Sequence, residues 1–212
     1  ANIRLPQPLD LPEAMTEQEF LTHIHELAQK NQLADNYIGL GYYGAITPAV
    51  ILRNVFENPV WYTSYTPYQA EISQGRLEAL LNFQTMVADL TALPLANCSL
   101  LDEATAAAEA MTMMMALRSR DQQTAGVNTP FVDRNIFPQT LDVLKTRSLP
   151  QGVNLLVGDY ASFDFSTPIF GAILQYPASD GRICDYRDFA ARCHENGAKV
   201  AVAADIMSLV LL

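Results

Sequence analysis

Cysteine is scarce. Cys98, Cys184 and Cys193 are the only three in 212 residues, an odd number with no CxxC pair. That excludes a disulfide framework and reads as small buried hydrophobes and free thiols in a reducing cytosol. Lysine is equally sparse, at Lys30, Lys145 and Lys199. The arginines and lysines form no dense run, and a formal net charge of -10 repels phosphate backbones, so no nucleic-acid partner is expected. No apolar stretch reaches the roughly 20 residues needed to span a bilayer, so no membrane partner is expected either. The N-terminus carries neither a signal peptide nor an Arg-rich transit segment. Walker, HExxH and GxSxG motifs are all missing, which leaves a stand-alone hydrolase or nucleotide binder without support. His23 and His25 lie two apart and cannot share a helix face. Cys193, His194 and Glu195 are consecutive in a predicted helix and point in different directions, so no metal is expected.

What is present is a buried-core composition, 50% hydrophobic and 17% charged. Residues 1–35 read as a proline-bearing arm followed by a helix, opened by a Thr16–Glu19 capping-box pattern and ending near Lys30 and Asn31. Residues 36–212 read as an incomplete α/β domain. Thr47-Pro48 predicts a helix start with Thr47 as cap. In GLGYYG the glycines loosen the backbone around Tyr42 and Tyr43, but their spacing is not that of a nucleotide loop. Amphipathic periodicity predicts a helix over 76–90. Asp102 is a candidate cap for an Ala- and Met-rich helix that packs closely on a sheet. Beyond it the pattern alternates, with strands near 129–132, 153–157, 170–176 and 199–204, and helices over 136–147 and 186–196. Strand, helix and strand joined by short turns predict a mainly parallel sheet with flanking helices. The chain opens without Met and closes on the apolar run AVAADIMSLVLL, which reads as a fragment with an exposed apolar surface over 206–212 that self-associates.

Two features carry candidate chemistry. The segment Tyr62–Gly75, YTSYTPYQAEISQG, has no helical or strand period. Its Tyr65, Tyr68, Gln69, Glu71, Ser73 and Gln74 offer directional hydrogen bonds beside the stiffening Pro67. It is either a pocket for a small polar ligand or a loop that caps its own backbone. Asp205 follows the last strand, at the edge where open α/β sheets bind ligands. A carboxylate there holds a protonated ring nitrogen, a metal or a ribose, or it caps the next segment.

The continuous stretch YIGLGYYGAITPAVILRNVFENPVWYTSYTPYQAEISQGRLEALLNFQTMVADLTALPLANCSLLDEATAAAEAM resembles the P-protein of the glycine cleavage system, the pyridoxal-phosphate-dependent glycine decarboxylase. The segments TPYQAEISQG and NCSLLDEATAAAEAM carry the likeness most specifically, and QYPASDGRICDY and VAVAADIMSLVLL extend it. Cys98 departs from the family's usual alanine. The resemblance implies a partial large domain of pyridoxal-phosphate fold type I, from the N-terminal half of a longer enzyme. That enzyme takes carbon dioxide from glycine and passes the aminomethyl group to the lipoyl arm of H-protein. It also implies an oligomer, a location in the bacterial cytoplasm or the mitochondrial matrix, and a Schiff-base lysine in the other half. The lysines agree with that last point: Lys30 lies on the first helix, Lys145 near a helix end, and Lys199 at the wrong end of the last strand. No catalytic residue is therefore expected in this chain. Asp205, Asn97 and Thr105 fall at a vestigial cofactor position. There Asp102 and Glu103 would repel a phosphate. The competing reading is a non-catalytic docking domain.

Overall fold

In the computed structural model, residues 3–7, 9–62, 69–98 and 100–211 are described. Residues 1–37 and 38–212 form two separate compact units. The first contains α1 (Glu17–Ala28), whose Thr16 hydroxyl and Glu19 carboxylate cap each other's backbone N–H groups. Phe20, Leu21, Ile24 and Leu27 on this helix are exposed.

The second unit is built on four parallel strands: β1 (Pro130–Asp133), β2 (Leu156–Gly158), β3 (Gly171–Tyr176) and β4 (Lys199–Ala204), in the order β2-β1-β3-β4. Every residue of β3 is buried, as a parallel strand covered on both faces requires. Val132 and Ile173 face one way, into a core with Met111, Met114, Leu144 and Phe170. Phe131, Ala172 and Leu174 face the other, into a core with Tyr186, Phe189 and Cys193. The first face is covered by α5 (Glu103–Ala116) and α7 (Pro138–Ser148), the second by α8 (Arg187–Glu195). The link from β2 to β3 adds an aromatic layer over α8, with Phe163 4.7 Å from Phe131 and the Arg192 guanidinium 3.9 Å over the Phe165 ring.

The Ala/Met helix meets the sheet as its composition suggests, burying Ala104, Ala107, Ala108, Met111 and Met114. Asp102 caps it, its Oδ1 accepting the Thr105 N–H at 2.7 Å. Four expectations need correction. The helix at Thr47-Pro48 begins one residue later, with Pro48 at the cap, as α2 (Ala49–Ile51), and continues as a π-helical turn, Leu52–Phe56. The helix expected from 76 is α4 (Ala70–Thr91), which follows α3 (Pro59–Tyr62). Its first turn takes in Glu71, Ser73 and Gln74, with a break at Ser73 (φ −125°, ψ 35°), so this part of the polar segment is helix rather than loop. The strand expected at 153–157 is short and shifted to β2, after a 3₁₀ turn over Leu149–Gln151. Finally, α6 (Arg120–Thr124) was not anticipated, although Ser119 and Gln122 make a capping box.

Beyond β4, Asp205 caps a 3₁₀ turn, Ile206–Val210, with its Oδ1 accepting the Met207 N–H at 2.8 Å. Ile206, Met207, Val210 and Leu211 are exposed, as the sequence leads one to expect. Among the described residues no helix is long and apolar enough to cross a membrane, and no group of metal-ligating side chains forms.

Candidate functional site

The strand order reverses between β1 and β3, and in open parallel sheets the crevice beyond the carboxyl ends of the strands is where ligands bind. Here that edge holds a cleft of about 330 Å³ between the start of α5 and the ends of β3 and β4. α5 runs against the strand direction, so its first residue, Glu103, reaches the same edge as Asp205, and both line the cleft. Ala107, Ala110, Phe137 and Ile173 supply apolar wall.

The turn carrying Tyr43 into the cleft is built by three successive left-handed residues, Gly39, Leu40 and Gly41. Gln139 on α7 pins it, donating to the Leu40 carbonyl at 2.8 Å. A Cβ on Gly41 would lie 3.0 Å from the Phe137 ring, so both the backbone conformation and the close approach call for glycine.

Behind the sheet edge sits a buried acid. Asp133 ends β1 completely buried, and burial pushes its carboxyl up from the usual aspartate range. The Asn135 backbone N–H at 3.1 Å opposes that shift, and the charge of Asp159 adds to it. The Tyr186 hydroxyl, 3.5 Å from Asp133 Oδ2, donates to the Gln175 carbonyl at 3.1 Å, and burial pushes this phenol up as well. Arg134 pairs with Asp159 at 2.7 Å on the exposed side of this network.

The sequence-expected residues distribute as follows. Tyr65 and Tyr68 lie outside the described residues. Gln69 stands at the α4 N-cap, Glu71 and Gln74 are exposed and Ser73 is buried, and none of the four lines the cleft. The flanks of the segment are tied together by Arg76, which donates to the carbonyls of Val60 and Trp61 and lies 5.4 Å from the Trp61 ring centroid. Asp205 lines the cleft, whereas exposed Asn97 and half-buried Thr105 do not. Sequence reasoning did not pick out Gln175, Asp133 or Tyr43. A glutamine inside the apolar strand GAILQY was the available signal, because buried polar side chains need partners.

The cleft residues do not fit pyridoxal phosphate. The Thr105 N–H at the α5 start, where a phosphate would sit, is already taken by Asp102. The Thr105 side chain and that N–H hold the Asp102 carboxyl below its usual range, so it stays ionised next to Glu103. Lys199 opens β4 at the end opposite Asp205, and Lys145 pairs with Asp142 on α7 at 3.2 Å.

A sheet of parallel strands covered by helices, with a crevice at the strands' carboxyl ends, places the chain in the α/β class. Comparison with known proteins narrows it. The profile of the glycine cleavage system P-protein matches residues 1–212. Over the full chain, 68% of residues are identical to a glycine dehydrogenase (decarboxylating) of Bacteroides thetaiotaomicron, of which the chain covers 22%. A namesake from Nostoc punctiforme is 59% identical over 99% of this chain and 21% of its own length. A crystal structure of glycine decarboxylase (P-protein) in inhibitor-bound form superposes with a TM-score of 0.80 at 31% identity, over 97% of this chain and 46% of that one. The chain belongs to the glycine cleavage system P-protein family. It spans about a fifth of the length of these curated relatives and corresponds to an N-terminal stretch of them. Its fold is accordingly part of a fold type I large domain.

Proposed function

We propose that this chain forms a wall of a glycine decarboxylase whose Schiff-base lysine lies outside it. The complete polypeptide releases carbon dioxide from glycine and passes the aminomethyl group to the lipoyl arm of H-protein in the cytoplasm. Pyridoxal phosphate is anchored outside this chain. The observation that carries this reading is the anionic start of α5, with Asp102 on its capping N–H, combined with a β4 lysine at the far end of the strand. The polar segment around Tyr65, Tyr68 and Gln69, with Glu71, Ser73 and Gln74, faces substrate or the lipoyl arm across the junction with the rest of the enzyme. Asp205, Asn97 and Thr105 are remnants of a cofactor position.

Pyridoxal phosphate followed by borohydride is the test. The complete polypeptide takes up a covalent label on a lysine outside residues 1–212, and the chain alone takes up none. A label on Lys30, Lys145 or Lys199 overturns the reading. In the complete enzyme, Tyr65→Phe or Tyr68→Phe raises the KM for glycine or for H-protein, and unchanged kinetics remove the segment from the site.

A second reading, docking of the rest of the same polypeptide, is favoured by exposed apolar side chains at Met207, Val210 and Leu211 and along α4 at Phe83, Met86 and Leu90. It predicts that the chain alone self-associates, and a monodisperse monomer by light scattering counts against it.

A further inference from the structure

The cleft at the sheet edge is rich in acceptors, and among the described residues no basic side chain lines it. Glu103 and Asp205 place two carboxylates on it, and among the described residues neither forms an ion pair. Exposed acids alone are ordinary solvated surface. Gln175 makes this cleft different. It lines the cleft on the same face of β3 as Ile173, yet it is only 5% exposed. Nε2 donates to the Ala203 carbonyl at 3.0 Å. Oε1 has no hydrogen-bond partner, alone among the buried side-chain polar atoms of the described residues. The amide cannot be reversed to mend this, because Oε1 would then face the Ala203 carbonyl, acceptor against acceptor. Orphaned buried acceptors are rare and destabilising, and a donor relieves them.

We infer that this cleft binds a primary ammonium group carried on a small apolar body, with Gln175 Oε1, Glu103 and Asp205 as the acceptors of its N–H groups. Each part of the lining selects for that chemistry. The carboxylates attract the cation and repel phosphates and carboxylates. An α-amino acid is disfavoured because its own carboxylate would face Glu103 or Asp205. The apolar side of the ligand meets Ala110, Phe137 and Ile173, and about 330 Å³ is near the lower end of small-molecule sites. Oε1 is closed to bulk water, so seating the donor takes a small turn of the Gln175 amide; the alanines Ala107, Ala201 and Ala203 line the same cleft. The inference is independent of the decarboxylase reading. The ammonium group can come from a free amine or from a lysine elsewhere in the longer polypeptide.

The test is a titration with n-propylammonium chloride at fixed ionic strength, followed by 1H–15N NMR, with n-propanol and sodium propionate as controls. Saturable shifts at the Gln175 side-chain amide and the Gly41 N–H are expected with the ammonium ion alone. Glu103→Gln, an exposed change that leaves the core untouched, weakens binding about two- to five-fold. Gln175→Met weakens it about two- to ten-fold. Saturation in both this chain and the longer polypeptide identifies a free amine as the ligand. Saturation in this chain alone identifies a side chain of the longer polypeptide as the occupant. Failure to saturate in either, equal shifts from propanol, or undiminished affinity in both variants overturns the inference.

Discussion

Replacing Gly171 with alanine measures how closely α5 lies on the sheet. Gly171 opens β3, paired with Pro130 on one side and Lys199 on the other. A Cβ built there would stand 2.6 Å from Met114 Sδ, 3.1 Å from Met114 Cε and 3.2 Å from the Lys199 carbonyl oxygen. Relaxed heavy-atom contacts fall near 3.5–4.0 Å, so the thioether must move by roughly 1 Å and the β4 carbonyl by several tenths. Met114 is flexible, but it is only 3% exposed and packed in the same core as Met111 and Phe170, which limits where it can go. Overpacking of this kind costs about 1–3 kcal/mol. The loss of glycine's freedom in the unfolded chain returns roughly 0.4–1 kcal/mol, leaving a net destabilisation of about 1–2 kcal/mol. In urea unfolding this appears as a lower midpoint with an unchanged slope. Because Met114 makes the shortest contact, Met114→Ala should relieve it, and the double variant should be about 1 kcal/mol more stable than additivity predicts. A Gly171→Ala midpoint equal to that of the parent, or strict additivity with Met114→Ala, would refute the close approach.

Three further outcomes follow from single side chains. Asp102→Ala removes the α5 cap and lowers stability by about 1 kcal/mol in urea unfolding, while Asp102→Asn restores most of it. Burial raises the carboxyl of Asp133 above the ordinary aspartate value, so its contribution is fully present below the unfolded pKa and fades as pH rises through the folded one. Asp133→Asn should therefore flatten that decline above about pH 4 and raise the thermal midpoint at neutral pH; a steeper decline in the variant would reverse the sign. Cys193 is completely buried, and burial pushes its thiol up to about 11. It should resist alkylation of the native chain at pH 8, with mass spectrometry finding label on half-buried Cys98 and Cys184 first.

The sheet was legible because its strands are short apolar runs separated by strong punctuation. Gly197, at φ +74°, stops α8 where its sequence position says it should, and β4 follows at the expected residues. The α5 cap was equally plain, since an aspartate three residues before a threonine N–H has a local geometry of its own. The α4 start was hidden because Glu71, Ser73 and Gln74 lack an apolar period, and the break at Ser73 interrupts what helical pattern there is. β2 shifted because a strand of three residues at the sheet edge is set by pairing with Phe131, Val132 and Asp133, which no local pattern encodes. The place of Asp205 at the carboxyl end of β4 was legible from topology alone. Gln175 and Glu103 come together there only because α5 runs back along strands that lie about 70–100 residues further along the chain.

That separation also has a consequence in time. α5 buries Met111 and Met114 against β3 and packs on β4, yet β4 ends at Ala204. A ribosome adding about 5–20 residues per second needs roughly 5–18 s to travel from Met111 to Ala201. During that interval the sheet beneath the helix is incomplete, since β1 and β3 are made first but β4 comes last. The apolar face around Met111 and Met114 therefore reaches its full burial only after the last strand has been made.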